Sequence, residues 1–356
     1  MAEKSRNGKK GGAGGQEQPP PSPDRLARHT RRLSNIERLR SFLELFKKDD
    51  RVLVVIVADP DSMACGMAIK RLLSRRVEST TIAHPNKIKR VNNLAMQELL
   101  KIPLVPLRQI KRDEFTKFVL VDSQPTHNPV LAGFQFHAVI DHHPVTTGWS
   151  APFVDIRPEY GAASSMLAEY LKAAKIKPAV LLATALFYGI KVDTQNFTKK
   201  ATYSDVLCFQ ALFKRINHYR LNKIETADFT RYELKHFKTA LANFIFRKKK
   251  IFVHLGRLTN PDIIVVVADF FTHVHEVGWV IVSGQVGEKL VVVFRCDGYK
   301  KDAGKLAQKV FGKMGSAGGH RQSARAEIPV KNISDYSPEG FSTRDLERLF
   351  KKHLKE

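Results

Sequence analysis

Three short apolar runs in the first half of the chain each stop at or just before an aspartate. The three pairs are 52–57 with Asp59, 118–121 with Asp122, and 138–140 with Asp141. Apolar runs without alternation are typical of strands buried on both faces of a parallel sheet, and helical patterns lie between them. Because the carboxyl ends of parallel strands meet at one edge, we expect these acids to lie close together at that edge of an α/β domain.

The second half of the chain repeats the alternation after a change in pattern. Residues 203–249 are predicted to form a helical, basic linker. Beyond it, strand-like runs at 251–253, 263–267, 279–282 and 290–294 and a helix-like run at 304–311 predict a smaller α/β domain over 250–350. The first α/β domain is expected over 33–202, with a mostly parallel sheet flanked by helices.

The N-terminal segment differs in composition from both domains. Residues 1–32 are rich in Gly, Pro, Ser, Lys and Arg, which predicts a disordered basic arm. Order is expected to begin at Ser34, because Ser34 and Glu37 have the spacing of a capping box and an apolar helical face follows.

The charge of the chain favours phosphate-bearing partners. Its 356 residues include 59 Lys and Arg against 35 Asp and Glu, a formal net charge of +24. Such an excess attracts polyanions and suggests contact with RNA or DNA through the basic surface and arm, although a solvated basic surface is the plainer alternative. Three cysteines without a CxxC pair predict a reducing, cytoplasmic location. No run of about 18 apolar residues predicts a membrane span.

The segment Asp141-His142-His143 combines donors that suit a catalytic divalent metal. A carboxylate and two imidazoles stand where a buried strand stops. By itself the run leaves two interpretations open, since a histidine at a strand end also caps the strand or bonds a backbone carbonyl.

Four further motifs accompany this run along the chain. They are Asp59-Pro60-Asp61, the Asp122 strand end, Asp193 after a helical pattern, and Gly318-Gly319-His320. In this order the motifs resemble those of the DHH phosphoesterase superfamily with its companion DHHA1 domain. Within the superfamily the resemblance is to the oligoribonuclease and pAp-phosphatase enzymes related to RecJ-like exonucleases. It covers about residues 34–350.

The resemblance implies a metal site in the first domain. Its metal ligands would be Asp61, Asp122, His142 and Asp193, holding one or two Mn²⁺ or Mg²⁺ ions. His143 would lie toward the substrate phosphate, and Asp141 would orient its neighbours, so these two residues are the expected catalytic pair.

The first motif departs from the family pattern at two ligand positions. The family has histidine and aspartate where this chain has Val57 and Met63. Neither side chain replaces an oxygen or imidazole ligand of a hard metal, so we expect one viable metal site and one weakened site. Asp59 either starts a turn or holds a displaced ion, and the sequence leaves both alternatives open.

In the second domain the resemblance implies substrate binding by Arg295, Gly318, Gly319 and His320. Glycines let backbone amides approach a phosphate, although an ordinary turn also explains Gly318-Gly319. Ser323 and Arg325 replace smaller residues of the family loop and are expected to reshape the pocket.

The expected function is metal-dependent hydrolysis of short oligonucleotides or nucleotide phosphates such as pAp, bound between the two domains. Two alternatives stay open: a catalytically attenuated family member that binds nucleotides or nucleic acid, and a single-strand exonuclease. The sequence also leaves open whether the chain forms a homodimer.

Overall fold

The computed structural model describes residues 22–198, 200–333 and 340–354. The chain divides into two compact units, Met1–Thr226 and Ala227–Glu356. The division falls inside the predicted linker. Its first part adds Leu212 and Ile224 to the core of the first unit, and its second part adds Phe237 to a core of the second.

The described part of the first unit contains six strands and eight α-helices. The strands are β1 (Arg51–Val55), β2 (Ser79–His84), β3 (Leu104–Pro106), β4 (Lys117–Val121), β5 (Ala138–Asp141) and β6 (Phe153–Ile156). The helices are α1 (Pro23–Arg32), α2 (Asn35–Leu43), α3 (Pro60–Leu73), α4 (Val91–Leu99), α5 (Ala163–Ala173), α6 (Val180–Asp193), α7 (Tyr203–Phe213) and α8 (His218–Glu225).

The six strands form one parallel sheet in the order β3-β2-β1-β4-β5-β6. The chain moves outward from β1 to β2 and β3, then returns to the other side of β1 with β4. The order therefore reverses between β1 and β4, and open α/β sheets bind ligands outside the carboxyl ends of the strands at such a point. Asp59 and Asp122 follow these two strands.

The described part of the second unit contains a mixed sheet and four α-helices. The strands are β7 (Ile245–Arg247), β8 (Lys250–Leu258), β9 (Trp279–Val286), β10 (Lys289–Cys296), β11 (Ser316–Gly319) and β12 (Ser323–Pro329). The helices are α9 (Leu234–Asn243), α10 (Asp262–Phe271), α11 (Ala303–Phe311) and α12 (Thr343–Leu354). The sheet order is β11-β12-β10-β9-β8-β7, with only β8 and β9 parallel among the described strands. The predicted α/β fold class, with a second smaller α/β unit, is confirmed.

The prediction of a disordered arm over residues 1–32 is wrong for residues 23–32. Residues 1–21 lie outside the described residues, but Pro23–Arg32 form α1 instead of a disordered segment. Three local features explain this helix. Ser22 caps its N-terminus, Pro23 fits its first position, and Ala27 is fully buried in an apolar cluster with residues of the sheet. The predicted capping box at Ser34 and Glu37 is present at the start of α2.

The run 263–267 was predicted to be a strand and is part of helix α10. Asn260 accepts a hydrogen bond from the amide of Asp262 just before the helix. Along α10 the buried side chains are Ile263, Ile264, Val267, Ala268 and Phe271. This spacing follows one helical face, so burial of that face outweighs the β-propensity of the Ile and Val residues.

Candidate functional site

The candidate site lies where β1, β4 and β5 end. Asp61 stands in the first turn of α3, after β1, and Asp122 directly follows β4. Asp141 is the last residue of β5, and His142 and His143 come next. Asp193 arrives from the last turn of α6. Topology therefore brings together four segments that are far apart in the sequence.

His142 is the centre of this cluster. Its Nε2 atom lies 3.1 Å from Asp193 Oδ2 and 3.3 Å from Asp122 Oδ1, and 3.9 Å from Asp61 Oδ2. Asp61 and Asp122 are buried, and the His142 side chain is 10% exposed. The three aspartates predicted as metal ligands thus converge on the Nε2 atom of the fourth predicted ligand, His142.

The other ring nitrogen of His142 is engaged by the backbone. Its Nδ1 atom lies 3.3 Å from the carbonyl oxygen of Tyr160. A carbonyl oxygen only accepts hydrogen bonds, so the proton of a neutral ring sits on Nδ1. That tautomer leaves the lone pair of Nε2 facing Asp122 and Asp193, as a metal ligand requires.

The pKa shifts in the cluster indicate that its buried carboxylates require a positive charge nearby. Burial and the nearby charges of Asp61 and Asp59 raise the pKa of Asp122 well above its usual value. Burial, opposed by His142 and reinforced by Asp193, raises the pKa of Asp61 to about 6. Burial alone would lower the pKa of His142, but contacts with Asp122 and Asp193 raise it to about 12. Without another cation, the protonated imidazole is the positive charge among these carboxylates.

The donor set fits a divalent cation. Asp122 Oδ1 and His142 Nε2 are buried and have no hydrogen-bond partner of good geometry among the described residues. Adjacent ligands of an octahedral ion with bonds near 2.1 Å are about 3 Å apart, which the 3.1 Å and 3.3 Å separations approach. Carboxylate oxygens and an imidazole suit Mn²⁺ and related ions.

Asp61 also has a structural role that the sequence did not predict. Its Oδ2 and Oδ1 atoms accept hydrogen bonds from the amides of Ala163 and Ser164, at 2.7 Å and 2.8 Å. These amides open α5, whose N-cap residue Ala162 makes no side-chain cap. Asp61 therefore supplies the missing cap from another helix, and its negative charge is favoured there by the helix dipole.

Asp59 caps a helix as well. Its side chain accepts a hydrogen bond from the amide of Ser62 at 2.9 Å, and the Ser62 hydroxyl accepts one from the Asp59 amide at 3.0 Å. Of the two alternatives left open by the sequence, this geometry supports the turn at the start of α3. Asp59 is absent from the clusters of potential metal ligands in the described chain.

The two departures from the family motif lie in apolar surroundings. Met63 is fully buried in the main core of the first unit. Val57 packs against the apolar cluster on the other face of the sheet. Neither position offers a ligand, as expected from the sequence.

Asp141 holds His143 in place. Its Oδ1 atom lies 2.8 Å from His143 Nδ1, and its Oδ2 atom accepts a hydrogen bond from Gln124 Nε2 at 2.7 Å. Burial alone would raise the pKa of Asp141, but the bonds from His143 and Gln124 hold it below its usual value. The same contact raises the pKa of His143. The His143 side chain is 46% exposed.

Gln124 was missed by the sequence reasoning. It is fully buried, and besides Asp141 it binds the loop after the two histidines. Its Nε2 donates to the Pro144 carbonyl at 3.0 Å, and its Oε1 accepts from the amide and hydroxyl of Thr146 at 2.7 Å and 2.8 Å. Its position two residues after the Asp122 strand end was the only available signal.

A buried ionic network near His142 was likewise not predicted from the sequence. The Arg157 guanidinium makes two bonds to Asp155, at 3.0 Å and 2.7 Å, and one to Glu169 at 2.7 Å. The Tyr160 hydroxyl donates to Glu169 at 3.0 Å. Since the Tyr160 carbonyl contacts His142, this network fixes the backbone that sets the imidazole tautomer.

Gly189 allows α6 to approach α3 closely. A Cβ atom at this position would lie 2.5 Å from Ser164 Oγ and 3.1 Å from Asp61 Oδ1. Gly189 is one helical turn before Asp193, so its small size helps to bring the Asp193 carboxylate to His142.

The predicted substrate residues of the second unit share one end of its sheet. Arg295 pairs with Ser323 across β10 and β12, and Gly319 pairs with Ala324 across β11 and β12. His320 follows β11 and is exposed. Arg295 is already engaged, because its Nε atom lies 2.6 Å from Asp269 Oδ1. The sheet thus brings Arg295 and the Gly318–His320 segment to the same end. The Arg295 guanidinium, however, already forms an ion pair with Asp269.

Of the two glycines at this end, Gly319 has a steric reason and Gly318 has none, because a Cβ at Gly318 would meet nothing within 4 Å. Gly319 has φ +153°, and a Cβ there would lie 2.5 Å from Ala324 Cα. Gly318 pairs with Arg325, which contacts Glu327 at 2.9 Å. Arg325 is therefore held along β12, away from the Gly319–His320 turn itself.

No helix in the described ranges combines the length and the apolar character that crossing a membrane requires.

Two curated proteins are similar to this chain in sequence. An uncharacterized protein of Methanocaldococcus jannaschii is 31% identical over 288 residues, which cover 80% of this chain and 59% of that protein. The bifunctional oligoribonuclease and PAP phosphatase NrnA of Mycoplasma genitalium is 27% identical over 210 residues, which cover 55% of this chain and 62% of that protein. The chain thus spans about three fifths of the length of either relative. No family model matches the chain.

The fold is also found in a solved structure that covers most of the chain. An exopolyphosphatase-related protein from Bacteroides fragilis has a TM-score of 0.59 and 15% sequence identity, covering 90% of this chain and 98% of that one. Fold and sequence relatives together confirm the predicted resemblance of this chain to the DHH phosphoesterase superfamily.

Proposed function

We propose that this chain is a metal-dependent phosphoesterase acting on short oligonucleotides or nucleotide phosphates such as pAp. The observation that carries the proposal is the convergence of Asp122, His142 and Asp193 at the carboxyl edge of the parallel sheet. The similarity to an oligoribonuclease and PAP phosphatase supports the substrate class. We infer that residues 33–202 are the catalytic part and that 250–350 bind substrate.

Asp61, Asp122, His142 and Asp193 would hold Mn²⁺ or Mg²⁺. Ligand atoms of Asp61, His142 and Asp193 lie within 4.8 Å of one another, and Asp122 contacts the same imidazole nitrogen. A bound divalent ion supplies an activated water and polarises a phosphoryl oxygen. His143 is directed by Asp141, so that its Nε2–H donates a hydrogen bond to a substrate phosphate. Two of the buried acids would therefore have different roles. Asp122 would contact the ion, and Asp141 would orient the His143 imidazole toward the substrate.

The number of ions follows from the same geometry. The ligands of the second family site are replaced by Val57 and Met63, and both Asp61 oxygens accept amide hydrogen bonds. We therefore propose one tightly held ion per chain. Isothermal titration with Mn²⁺ gives this stoichiometry, and two equivalent tight ions would contradict it.

The direct test is hydrolysis by the purified chain with Mn²⁺, using pAp and oligoribonucleotides of two to five nucleotides. Asp122→Asn is the sharpest variant, because Asp122 has φ +59° and asparagine also tolerates that left-handed conformation. We expect turnover to fall more than about 100-fold, beyond the usual effect of losing an outer hydrogen bond. The exposed Asp113→Asn is the matched control. Equal activity of both variants would refute the proposal.

A second candidate is a family member that binds nucleotides with little or no hydrolysis. The specific observation in its favour is the full burial of Met63 in the apolar core, at a position where the family has a metal ligand. Val57→His with Met63→Asp tests it. A large gain in hydrolysis would show that native turnover is limited by metal, whereas high native turnover without gain would exclude this candidate. Unfolding curves must accompany the test, because Met63→Asp buries a charge.

A third candidate is a single-strand exonuclease, which the net charge favours. The pattern of cleavage products distinguishes a single-strand exonuclease from an enzyme that acts on short oligonucleotides. Stepwise shortening of long strands at a rate comparable to cleavage of dinucleotides would support the exonuclease.

We also propose a cytoplasmic location. Cys65, Cys208 and Cys296 are all free thiols, as expected in a reducing compartment.

A further inference from the structure

The turn between β7 and β8 presents two lysines in an unusual backbone conformation. Arg247 pairs with Lys250, so the loop consists of Lys248 and Lys249 alone. Their φ angles are 44° and 62°, both in the left-handed region. Two-residue hairpins with this geometry favour Asn-Gly, because a side chain in the left-handed region costs about 1–2 kcal/mol. Both lysines are exposed. The turn therefore retains two exposed charges at a conformational cost.

The backbone of this turn is held firmly. The carbonyl oxygen of Lys249 accepts hydrogen bonds from the amides of Gly278 and Trp279, at 2.8 Å and 3.1 Å. Gly278 and Trp279 lead into the central strand β9. The two lysines thus project from a fixed position instead of a loose loop.

The turn lies at the same end of the sheet as the Gly318–His320 loop. Strand pairs at this end are Lys250 with Trp279, Trp279 with Cys296, Arg295 with Ser323, and Gly319 with Ala324. From β8 to β11 this edge crosses four strand spacings, about 19 Å. The edge is long enough to contact several nucleotides.

Hydrogen bonds connect the loops along this edge. Lys301 Nζ donates to the Gly278 carbonyl at 3.0 Å, and the Arg321 guanidinium donates to the Tyr299 carbonyl at 3.3 Å. The side chains that line the edge are called the basic row and are Arg247, Lys248, Lys249, Tyr299, Lys300, Lys301 and Arg321. Acidic residues are also present: Asp297 pairs with Lys301, Glu347 pairs with Arg247, and Asp302 caps α11. Positive charge still predominates in the row.

The chemistry of the basic row fits a single-stranded nucleic acid. Exposed lysines and arginines neutralise phosphates, and an exposed aromatic ring stacks on an unpaired base. Tyr299 has 80% of its surface exposed and is followed by Lys300 and Lys301. An aromatic ring adds nothing for inorganic polyphosphate, which has no bases, so Tyr299 favours nucleic acid over other polyanions.

We propose that the basic row binds single-stranded nucleic acid from the Gly318–His320 loop to the Lys248-Lys249 turn. Strands of several nucleotides then bind more tightly than a mononucleotide. As a statement about substrate length, the inference rests on the proposed function. Strand binding is measured without hydrolysis, so a failure of this inference can be distinguished from a failure of the proposed function.

The experiment is fluorescence anisotropy of the full chain with labelled RNA and DNA strands, in EDTA so that no cleavage occurs. Strands of about 4 and about 16 nucleotides cover the usual range of site sizes. The test variant K248N/K249G installs the favoured turn residues while removing two charges. The matched control K101N/K175G makes the same substitutions at two exposed lysines of the first unit, which also have positive φ, 53° and 55°.

We expect K248N/K249G to weaken binding of the longer strand about 20-fold at 0.1 M salt. The slope of log K against log salt concentration should fall by about 1.4, since each contact on a single strand contributes about 0.7. K248R/K249R should retain wild-type affinity, because it keeps both charges. Tyr299→Leu should weaken strand binding without affecting binding of inorganic polyphosphate.

Three results would overturn the proposal: no binding of either strand by the wild-type chain, a loss in K248N/K249G no larger than in K101N/K175G, or a loss in K248R/K249R as large as in K248N/K249G. If Tyr299→Leu leaves strand binding unchanged while polyphosphate competes equally, the row is a general polyanion site and the assignment to nucleic acid is wrong. Melting temperatures of each variant identify any loss of fold.

Discussion

The strand ends of the two units differ in how their polar groups are held. In the first unit, Asp61, Asp122 and Asp141 are buried, and each contacts residues from distant segments. In the second unit, Lys248, Lys249 and Tyr299 are exposed on turns whose backbone alone is fixed. A buried polar group must find partners inside the protein, whereas an exposed one is satisfied by water.

This difference determines what a substitution can change. In the first unit, Asp61 also caps α5, so stability and function are expected to fall together when this residue is replaced. In the second unit, exposed side chains can be replaced with little effect on folding. Binding and stability are therefore separable there.

The largest expected effect comes from breaking the ionic network behind His142. Arg157→Met leaves Asp155 buried without its bidentate partner, which is expected to cost about 3–5 kcal/mol of unfolding free energy. Urea unfolding monitored by circular dichroism measures it. The double variant D155N/R157M removes the unpaired charge and should recover part of the loss. A loss below about 1 kcal/mol in Arg157→Met would mean that the network contributes little to the stability of the first unit.

The next effect concerns the close approach of two helices. Gly189→Ala places a methyl group 2.5 Å from Ser164 Oγ and should push α6 away from α5. We expect a loss of about 1–3 kcal/mol, typical of overpacking, and weaker Mn²⁺ binding because Asp193 moves with the helix. Thermal unfolding and metal titration measure the two effects. Gly133→Ala is the control, since its nearest contact would be an ordinary 3.6 Å to Arg112. Unchanged Mn²⁺ affinity in Gly189→Ala would indicate that Asp193 does not bind the ion.

Gln124→Met tests whether positioning of His143 is distinct from metal binding. The substitution keeps the volume but removes the hydrogen bonds to Asp141 and Thr146. We expect kcat to fall about 10–100-fold, as when an outer hydrogen-bond partner of a site is lost. Mn²⁺ affinity should stay near the wild-type value. If metal affinity and kcat fall in parallel, Gln124 acts through the metal ligands instead.

The smallest effect concerns a titratable group inside the second unit. His254 is partly buried beside Ser283, and burial, opposed by the charge of Asp345, lowers its pKa to about 4. Between pH 4 and 6.5 the unfolded chain binds more protons at this residue than the folded chain. Stability therefore falls as the pH falls, by about 1–2 kcal/mol between pH 7 and 5.

Unfolding at the two pH values, with the wild-type chain and His254→Gln, measures this contribution. The difference between pH 7 and pH 5 should shrink in the variant. An equal pH dependence in both proteins would assign the acid sensitivity to other residues, such as the carboxylates of the first unit.

Sequence patterns predicted the strands of the first unit and the acids at their ends because both depend on local chain features. A continuous apolar run specifies a buried strand, and the turn after it contains the first residues that can be polar. The convergence of Asp122 and His142 then follows from parallel pairing of β4 and β5. The approach of Asp193 depends on helix packing, and it was available from the sequence only through the family resemblance.

Other features depend on contacts that no local pattern contains. Asp61 caps α5 across a separation of 102 residues, and Arg157 is paired inside the protein although arginine usually lies at the surface. The run 263–267 has the composition of a strand, but packing of one helical face determines its structure. The ion pair of Arg295 with Asp269 likewise depends on the position of α10 beside β10.

The left-handed backbone at Asp122 has an evolutionary consequence. Aspartate, asparagine and glycine are the residues best suited to φ +59°, and aspartate and asparagine codons differ by a single base. One mutation could therefore remove a proposed metal ligand and leave the fold intact. Inactive descendants of such a chain would be stable, abundant and superimposable on their active ancestors, so the residue at this position is a better guide to activity in related proteins than their overall structure.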